Sequence, residues 1–222
     1  MPKLPRKNPV KGVILVTAFE PFGLSLTRTN ASWEAVKFLA GKRFGDKRIA
    51  VAQLPVAWGS ATKKIQHLVK LHSPIAIIGF GQAGVEPVRL EKTARNIRQI
   101  LTDNKGWLPS KFKIYDKGPR KIQSTLPLHL ILNSLRAHHI PVKMFDNAGG
   151  YLCNEAFYTL MHDPGSRRAK TVPRGFIHLP PLGAKVKKVR FDRKTLQRIA
   201  EIVIQTVMDP AHVYSSKEWS LA

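Results

Sequence analysis

Continuous apolar runs alternate along this chain with stretches whose apolar positions recur every three or four residues. Gly12-Val-Ile-Leu-Val-Thr17 is a near-continuous apolar run and predicts a strand buried on both faces. A turn with Pro21 and Gly23 follows. Asn30 then predicts an N-cap for a helix through Ala40, faced by Trp33, Val36, Leu39 and Ala40. Arg48 to Val56 predicts a second strand. Ser60 to His72 predicts a helix faced by Ile65, Leu68, Val69 and His72, and Pro74 to Gly79 another buried strand. Pro87 to Ile97 begins extended. Asn104 to Gln123, with Gly106, Pro109, Gly118 and Pro119, reads as a long loop of the kind that often covers a site. Leu126 to His139 predicts a helix with Pro127 in its first turn, and Ile140 to Phe145 a strand. A helix is predicted from about Leu152. Thr171 to Leu179 predicts a strand. Asp192 caps a last helix faced by Leu196, Ile199, Ala200, Val203, Ile204 and Val207.

Strands alternating with helices, without an internal repeat, predict a three-layer α/β/α fold around a mostly parallel, mixed sheet. No break in composition divides the chain, so a single domain is expected over residues 12–208. Residues 1–11, basic and holding Pro2, Pro5 and Pro9, read as a flexible arm, and 209–222 as a C-terminal tail. No run reaches the ~18 apolar residues of a membrane span.

Charge changes the picture in one respect. With 37 Lys and Arg against 14 Asp and Glu, the formal net charge is +23. Such a surface attracts polyanions, and its densest region runs from Arg167 to Arg198. The basic residues are spread widely and no nucleic-acid motif accompanies them. A solvated basic surface is therefore the favoured reading over a nucleic-acid partner. A single cysteine excludes an internal disulfide and points to a reducing compartment, with a cytoplasmic location expected.

That cysteine is also the leading chemical candidate. Asp146-Asn-Ala-Gly-Gly-Tyr-Leu-Cys153 leads from a strand through a turn into a helix, which places Cys153 in the first helical turn. Unpaired N–H groups and the positive end of the helix dipole there favour a thiolate. The plainer reading is a buried apolar cysteine, because Cys153, Phe157, Leu160 and Met161 share a helical stripe. His178, at the end of an apolar strand and before Pro180-Pro181, falls at an element end that a parallel sheet would bring to the same edge. Its plainer reading is a core histidine bonded to backbone. Glu91 stands in an apolar-flanked run, Val88-Arg-Leu-Glu91, and is a candidate to orient the imidazole, against a simple salt bridge to Arg89 or Arg95. Glu20 and Glu155 are the other acids considered. Gly79-Phe-Gly-Gln-Ala-Gly84, with Asp103 beyond it, matches a dinucleotide pattern in letters, but Pro87 follows where a helix should open. A tight strand-end turn, or a pocket lined by these backbone groups, suits it better. No metal-ligand spacing is present, and neither metal nor cofactor is expected.

These motifs together resemble the pyrrolidone-carboxylate (pyroglutamyl) peptidases, a family of cysteine peptidases. The likeness spans about residues 12 to 208. It is carried by Val16-Thr-Ala-Phe-Glu-Pro-Phe-Gly23, Asn30-Ala-Ser-Trp-Glu-Ala-Val36, Leu54-Pro-Val56, Gly81-Gln-Ala-Gly84, Leu90-Glu91 with Asn96, Ser124-Thr-Leu-Pro127, Asn147-Ala-Gly149 with Cys153-Asn154, and Gly175-Phe-Ile-His178-Leu-Pro180. The resemblance implies removal of an N-terminal pyroglutamyl residue from peptides through a Cys153–His178–Glu91 triad and a thioester. It also implies that Phe19 and Phe22 flank the substrate ring, that the Gln82 turn lines the pocket, and that the protein assembles as a dimer or tetramer. The sequence departs from the family pattern at three places. Ala18 replaces a usual Gly, Val85-Glu86 a usual Gly-Arg, and Arg98-Gln-Ile-Leu-Thr102 a stretch that commonly carries an arginine near the site.

Overall fold

The computed structural model describes residues 10–23, 29–162 and 172–210. Residues 1–9 of the expected arm, residues 211–222 of the tail, and Arg167 and Arg168 of the basic region lie outside the described residues. In chain order the elements are β1 (Gly12–Phe19), α1 (Ala31–Val36), β2 (Arg43–Phe44), β3 (Lys47–Leu54), α2 (Ser60–His72) and β4 (Ala76–Gln82). They continue with β5 (Val88–Glu91), β6 (Thr93–Arg95), β7 (Lys121–Gln123), α3 (Leu128–Ala137), β8 (Val142–Phe145) and α4 (Leu152–Met161). The chain ends in β9 (Arg174–Leu179), β10 (Lys185–Val186), β11 (Val189–Arg190) and α5 (Arg193–Met208).

Seven strands form the main sheet in the order β2-β3-β1-β4-β9-β5-β8. The pairs β3-β1, β1-β4, β4-β9 and β5-β8 are parallel, whereas β2-β3 and β9-β5 are antiparallel. The continuous apolar runs sit where the sheet is covered twice: Ile14, Leu15 and Val16 in β1 and Ile77 and Ile78 in β4 are all fully buried. Alternate side chains enter two cores. Ile14, Val16, Ile78 and Phe80 join α1, α3 and α5 on one face. Leu15, Ile77 and Phe176 join α2 and α4 on the other.

Three predicted elements differ from the sequence reading. The helix from Asn30 is α-helical only to Val36 and closes with a 3-10 turn over Lys37–Leu39, before Gly41 takes a left-handed φ of +77°. Pro127 precedes α3 rather than sitting in its first turn, with a non-helical ψ of 66°. The long loop is partly structured: β7 pairs with β6 across it, and Asn96 holds its middle through bonds with the backbone of Ile114, Tyr115 and Gly118.

Candidate active site

The cysteine helix begins where sequence places it. Asn147 Oδ1 accepts from the Gly149 N–H, and Gly149 takes φ +81°, a conformation that favours glycine, so the chain can turn from β8 toward α4. Cys153 is then the second residue of α4, with the first turn's N–H groups around it. Asn154 is fully buried and fixes the helix start from the side. Its Oδ1 accepts from the Arg95 N–H, and its Nδ2 donates to the carbonyls of Arg95 and Ile97.

Strand β9 supplies the histidine, and register places its neighbours. His178 is opposite Gly81 of β4 on one side and Arg89 of β5 on the other, while Glu91 is opposite Phe176. Positions two apart on a strand share a face, so Arg89 and Glu91 present side chains toward His178. His178 Nδ1 lies 2.7 Å from Glu91 Oε1, and both side chains are buried, at 3% and 0% exposure. Burial pulls the imidazole pKa down, but the charge of Cys153, a hydrogen bond with its side chain, and Glu91 together push it up to about 9. The imidazole therefore binds a proton strongly when Cys153 is a thiolate.

Two of the three glycines of the Gly79–Gly84 run, Gly79 and Gly81, have a packing role. A Cβ on Gly81 would meet the Phe176 ring at 2.8 Å and Cys153 Sγ at 3.0 Å, so only glycine lets the thiol approach the sheet here. A Cβ on Gly79 would collide with Phe176 and Leu160. Both glycines lie inside β4, and the chain leaves Gln82 for a bend and β5, not a helix. Asp103, the ribose-acid candidate of the dinucleotide pattern, accepts instead from the N–H groups of Trp58, Lys105 and Trp107. Burial raises its pKa, and those backbone bonds outweigh burial and lower it. These bonds agree with the strand-end turn preferred over a dinucleotide site from the sequence.

A cavity of about 170 Å³ opens over Cys153 and His178, walled by Phe19, Phe22, Gln82, Ala148, Tyr151 and Arg89 among others. Phe19 is buried and Phe22 is 40% exposed at its mouth. Their turn is tied down at several points. Ser32 Oγ accepts from the Phe19 N–H, Leu54 O from the Glu20 N–H, and Asn104 Nδ2 donates to Pro21 O. Gln82 Oε1 accepts from the Ala31 N–H, so the same side chain lines the cavity and holds the start of α1. The wall is mostly aromatic and aliphatic, which suits a flat neutral ring.

The other acids lie elsewhere. Glu20 Oε1 accepts from the Val56 N–H. Glu155 bonds Arg98, the Gly59 N–H and Thr62 Oγ1. None of the cavity-lining residues comes from 104–123, so that loop buttresses the site rather than covering it. The departing stretch Arg98–Thr102 also supports the wall. Arg98 binds Glu155, Leu101 O accepts from Trp58 Nε1, and Thr102 O accepts from Tyr151 Oη.

Sequence reasoning named Arg89 only as a salt-bridge partner and assigned Tyr151 nothing. The i, i+2 spacing of Arg89 and Glu91 was the available signal for the first. Tyr151 stands directly before the first helical residue, which was the signal for the second. Among the described residues no group of His, Cys, Asp and Glu is disposed to hold a metal ion.

A family model described as pyroglutamyl peptidase matches residues 12–206. A pyrrolidone-carboxylate peptidase from Cupriavidus taiwanensis is 38% identical over 171 residues, 76% of this chain and 78% of that protein. One from Bacillus cereus is 31% identical over 201 residues, 88% of this chain and 92% of its own length. The crystal structure of pyroglutamyl peptidase I from Bacillus amyloliquefaciens superposes with a TM-score of 0.79 at 30% identity, covering 89% of this chain and 95% of that one. A mutant pyrrolidone carboxyl peptidase from the hyperthermophile Pyrococcus furiosus gives a TM-score of 0.80 at 26% identity, over 89% and 99% of the two chains. With a match running from the first strand into the last helix, this chain belongs to the pyroglutamyl peptidase family.

Proposed function

We propose that the protein is a cysteine peptidase that removes an N-terminal pyroglutamyl residue from peptides, with Cys153 as nucleophile, His178 as acid–base and Glu91 as its orienting carboxylate. The observation that carries this reading is the buried 2.7 Å His178–Glu91 contact beside a helix-start cysteine, with Cys153 and His178 opening on one aromatic-walled cavity. A pyroglutamyl end has no free amine, so its site needs no carboxylate to anchor an ammonium. A neutral lactam instead suits the Phe19 and Phe22 faces and nearby polar groups.

His178 takes the Cys153 proton on Nε2 while Nδ1–H donates to Glu91. The thiolate attacks the pyroglutamyl carbonyl, and the oxyanion forms beside the Cys153 N–H at the start of α4. The imidazolium gives its proton to the leaving amine, and the shortened peptide departs. Water, deprotonated by His178, then cleaves the thioester and releases pyroglutamate. A reducing compartment suits this chemistry, because Cys153 must stay a thiol. Ile100, Leu101, Trp107, Leu108 and Phe112 are all exposed on one loop segment, which supports assembly into a dimer or tetramer.

Release of a fluorophore from a pyroglutamyl amide tests the reading, under reducing conditions. Wild type is expected to turn over, and Cys153→Ala and His178→Ala are not. A folded wild type that releases nothing at any pH would sink the proposal.

A further inference from the structure

Arg89 is one of the residues lining the cavity, and its guanidinium lies against Glu91, Glu86 and His178. Nε lies 3.1 Å from Glu91 Oε1 and Nη1 donates to Glu86 Oε1 at 3.1 Å. Nη2 lies 3.3 Å from His178 Nδ1. The last contact has a definite chemical meaning. Guanidinium nitrogens only donate, and Nδ1 at 2.7 Å from a carboxylate spends its proton on Glu91. Nη2 therefore faces an N–H, so this contact sets a fixed cation against the imidazole rather than forming a hydrogen bond.

Two cationic partners crowd one oxygen of Glu91: His178 by a hydrogen bond and Arg89 by charge alone. Oε1 meets both His178 and Arg89, while Oε2 is buried with no hydrogen-bond partner among the described residues. The guanidinium itself is kept in place by Glu86, which Lys143 of β8 also binds at 2.8 Å, and by the Phe145 ring 4.7 Å away. The charged and titratable groups around His178 are thus Cys153 from α4 and Glu91 and Arg89 from β5. Glu86 and Lys143 stand behind Arg89.

We propose that Arg89 is a positioning residue that acts through His178, opposing the imidazolium with a permanent charge, so that the proton taken from Cys153 is released readily to the leaving amine. The proposal rests on the triad reading above, but its test does not need turnover. The His178 titration is followed by NMR in protein labelled at its eight histidines, with the signal assigned by its loss in His178→Ala. Removing a cation favours the imidazolium, so Arg89→Met is expected to move the midpoint up by about one pH unit. Arg89→Lys, which keeps the charge, is expected to stay within about 0.3 units of wild type. Glu86→Gln leaves Arg89 less neutralised and is expected to move the midpoint down by about half a unit. Glu86 is partly exposed, so this third arm stands even where Arg89→Met does not fold. A midpoint unmoved or lowered in Arg89→Met, one displaced as far in Arg89→Lys as in Arg89→Met, or a Glu86→Gln curve superimposed on wild type would each overturn the proposal. Peptide cleavage is read separately, so a shifted titration in an inactive protein would fault the peptidase reading and leave this one standing.

Discussion

Two carboxylates in this protein are fully buried beside an arginine, and they are satisfied very differently. Glu155, two residues after the cysteine on α4, receives the Gly59 N–H, Thr62 Oγ1 and two Arg98 nitrogens across both oxygens. Arg98 also donates to the carbonyls of Lys111 and Lys113, so the cluster ties α4 to α2 and to the long loop. Glu91 has His178 and Arg89 crowded on one oxygen, and its other oxygen is bare. A saturated buried ion pair holds elements together. An under-satisfied one costs stability and remains only where something else needs its charge. The difference separates a structural clamp from a site, although both are buried glutamate–arginine pairs.

The comparison is broken most directly at the proposed Cys153–His178–Glu91 triad. Cys153→Ala and His178→Ala are each expected to lower kcat/KM by at least about 10⁴-fold in assays of pyroglutamyl-amide hydrolysis, Cys153→Ala with a melting temperature close to wild type. Glu91→Gln, which keeps the shape and removes the charge, is expected to cost about 10²- to 10⁴-fold in kcat. If it instead lowered stability and spared turnover, Glu91 would belong with Glu155. The converse variant sharpens the contrast. Arg98→Met leaves Glu155 charged and unpaired, and is expected to cost about 3–5 kcal/mol in chemical denaturation while kcat changes far less than in Glu91→Gln.

The pH dependence distinguishes the two clusters more finely. His178 is raised to about 9 when folded, above its usual 6.5. The proton it holds therefore stabilises the fold fully below about pH 6.5, and that contribution is lost as pH rises through about 9. Denaturation midpoints should fall across this interval in wild type, and His178→Ala should flatten that fall. The alkaline limb of kcat/KM is expected to centre on the same upper value. The smallest effect belongs to the cavity mouth. Phe22 is partly exposed, and Phe22→Ala should raise KM by about two- to tenfold with kcat little changed.

Much of this was legible without coordinates because it is local. Apolar continuity marked β1 and β4, since a strand covered on both faces has no polar face to show. The Asn-Ala-Gly-Gly turn marked the start of α4, since only a turn with a left-handed residue delivers the chain there. The long loop misled for the opposite reason. Its glycines and prolines are loop signals, but its position is set by the Asn96 and Arg98 side chains, whose partners lie 13 to 22 residues away. Asp103 has the spacing of a dinucleotide pattern that Pro87 already argued against, and its oxygens are taken by backbone N–H groups.

The sequence by itself determined most of the elements, the family, and the identity of a cysteine, a histidine and a glutamate worth watching. Each follows from residue order, through periodicity, caps and motifs read along one stretch of chain. Only the tertiary structure decided which acid meets the histidine, why Gly81 must be bare, and that Arg89 stands against the imidazole. Those facts depend on strand register: β9 lies between β4 and an antiparallel β5, which brings Gly81, His178 and Arg89 into one row. Register is fixed by how the two cores pack on the sheet, a sum over residues from the whole chain, and no local stretch of sequence carries it.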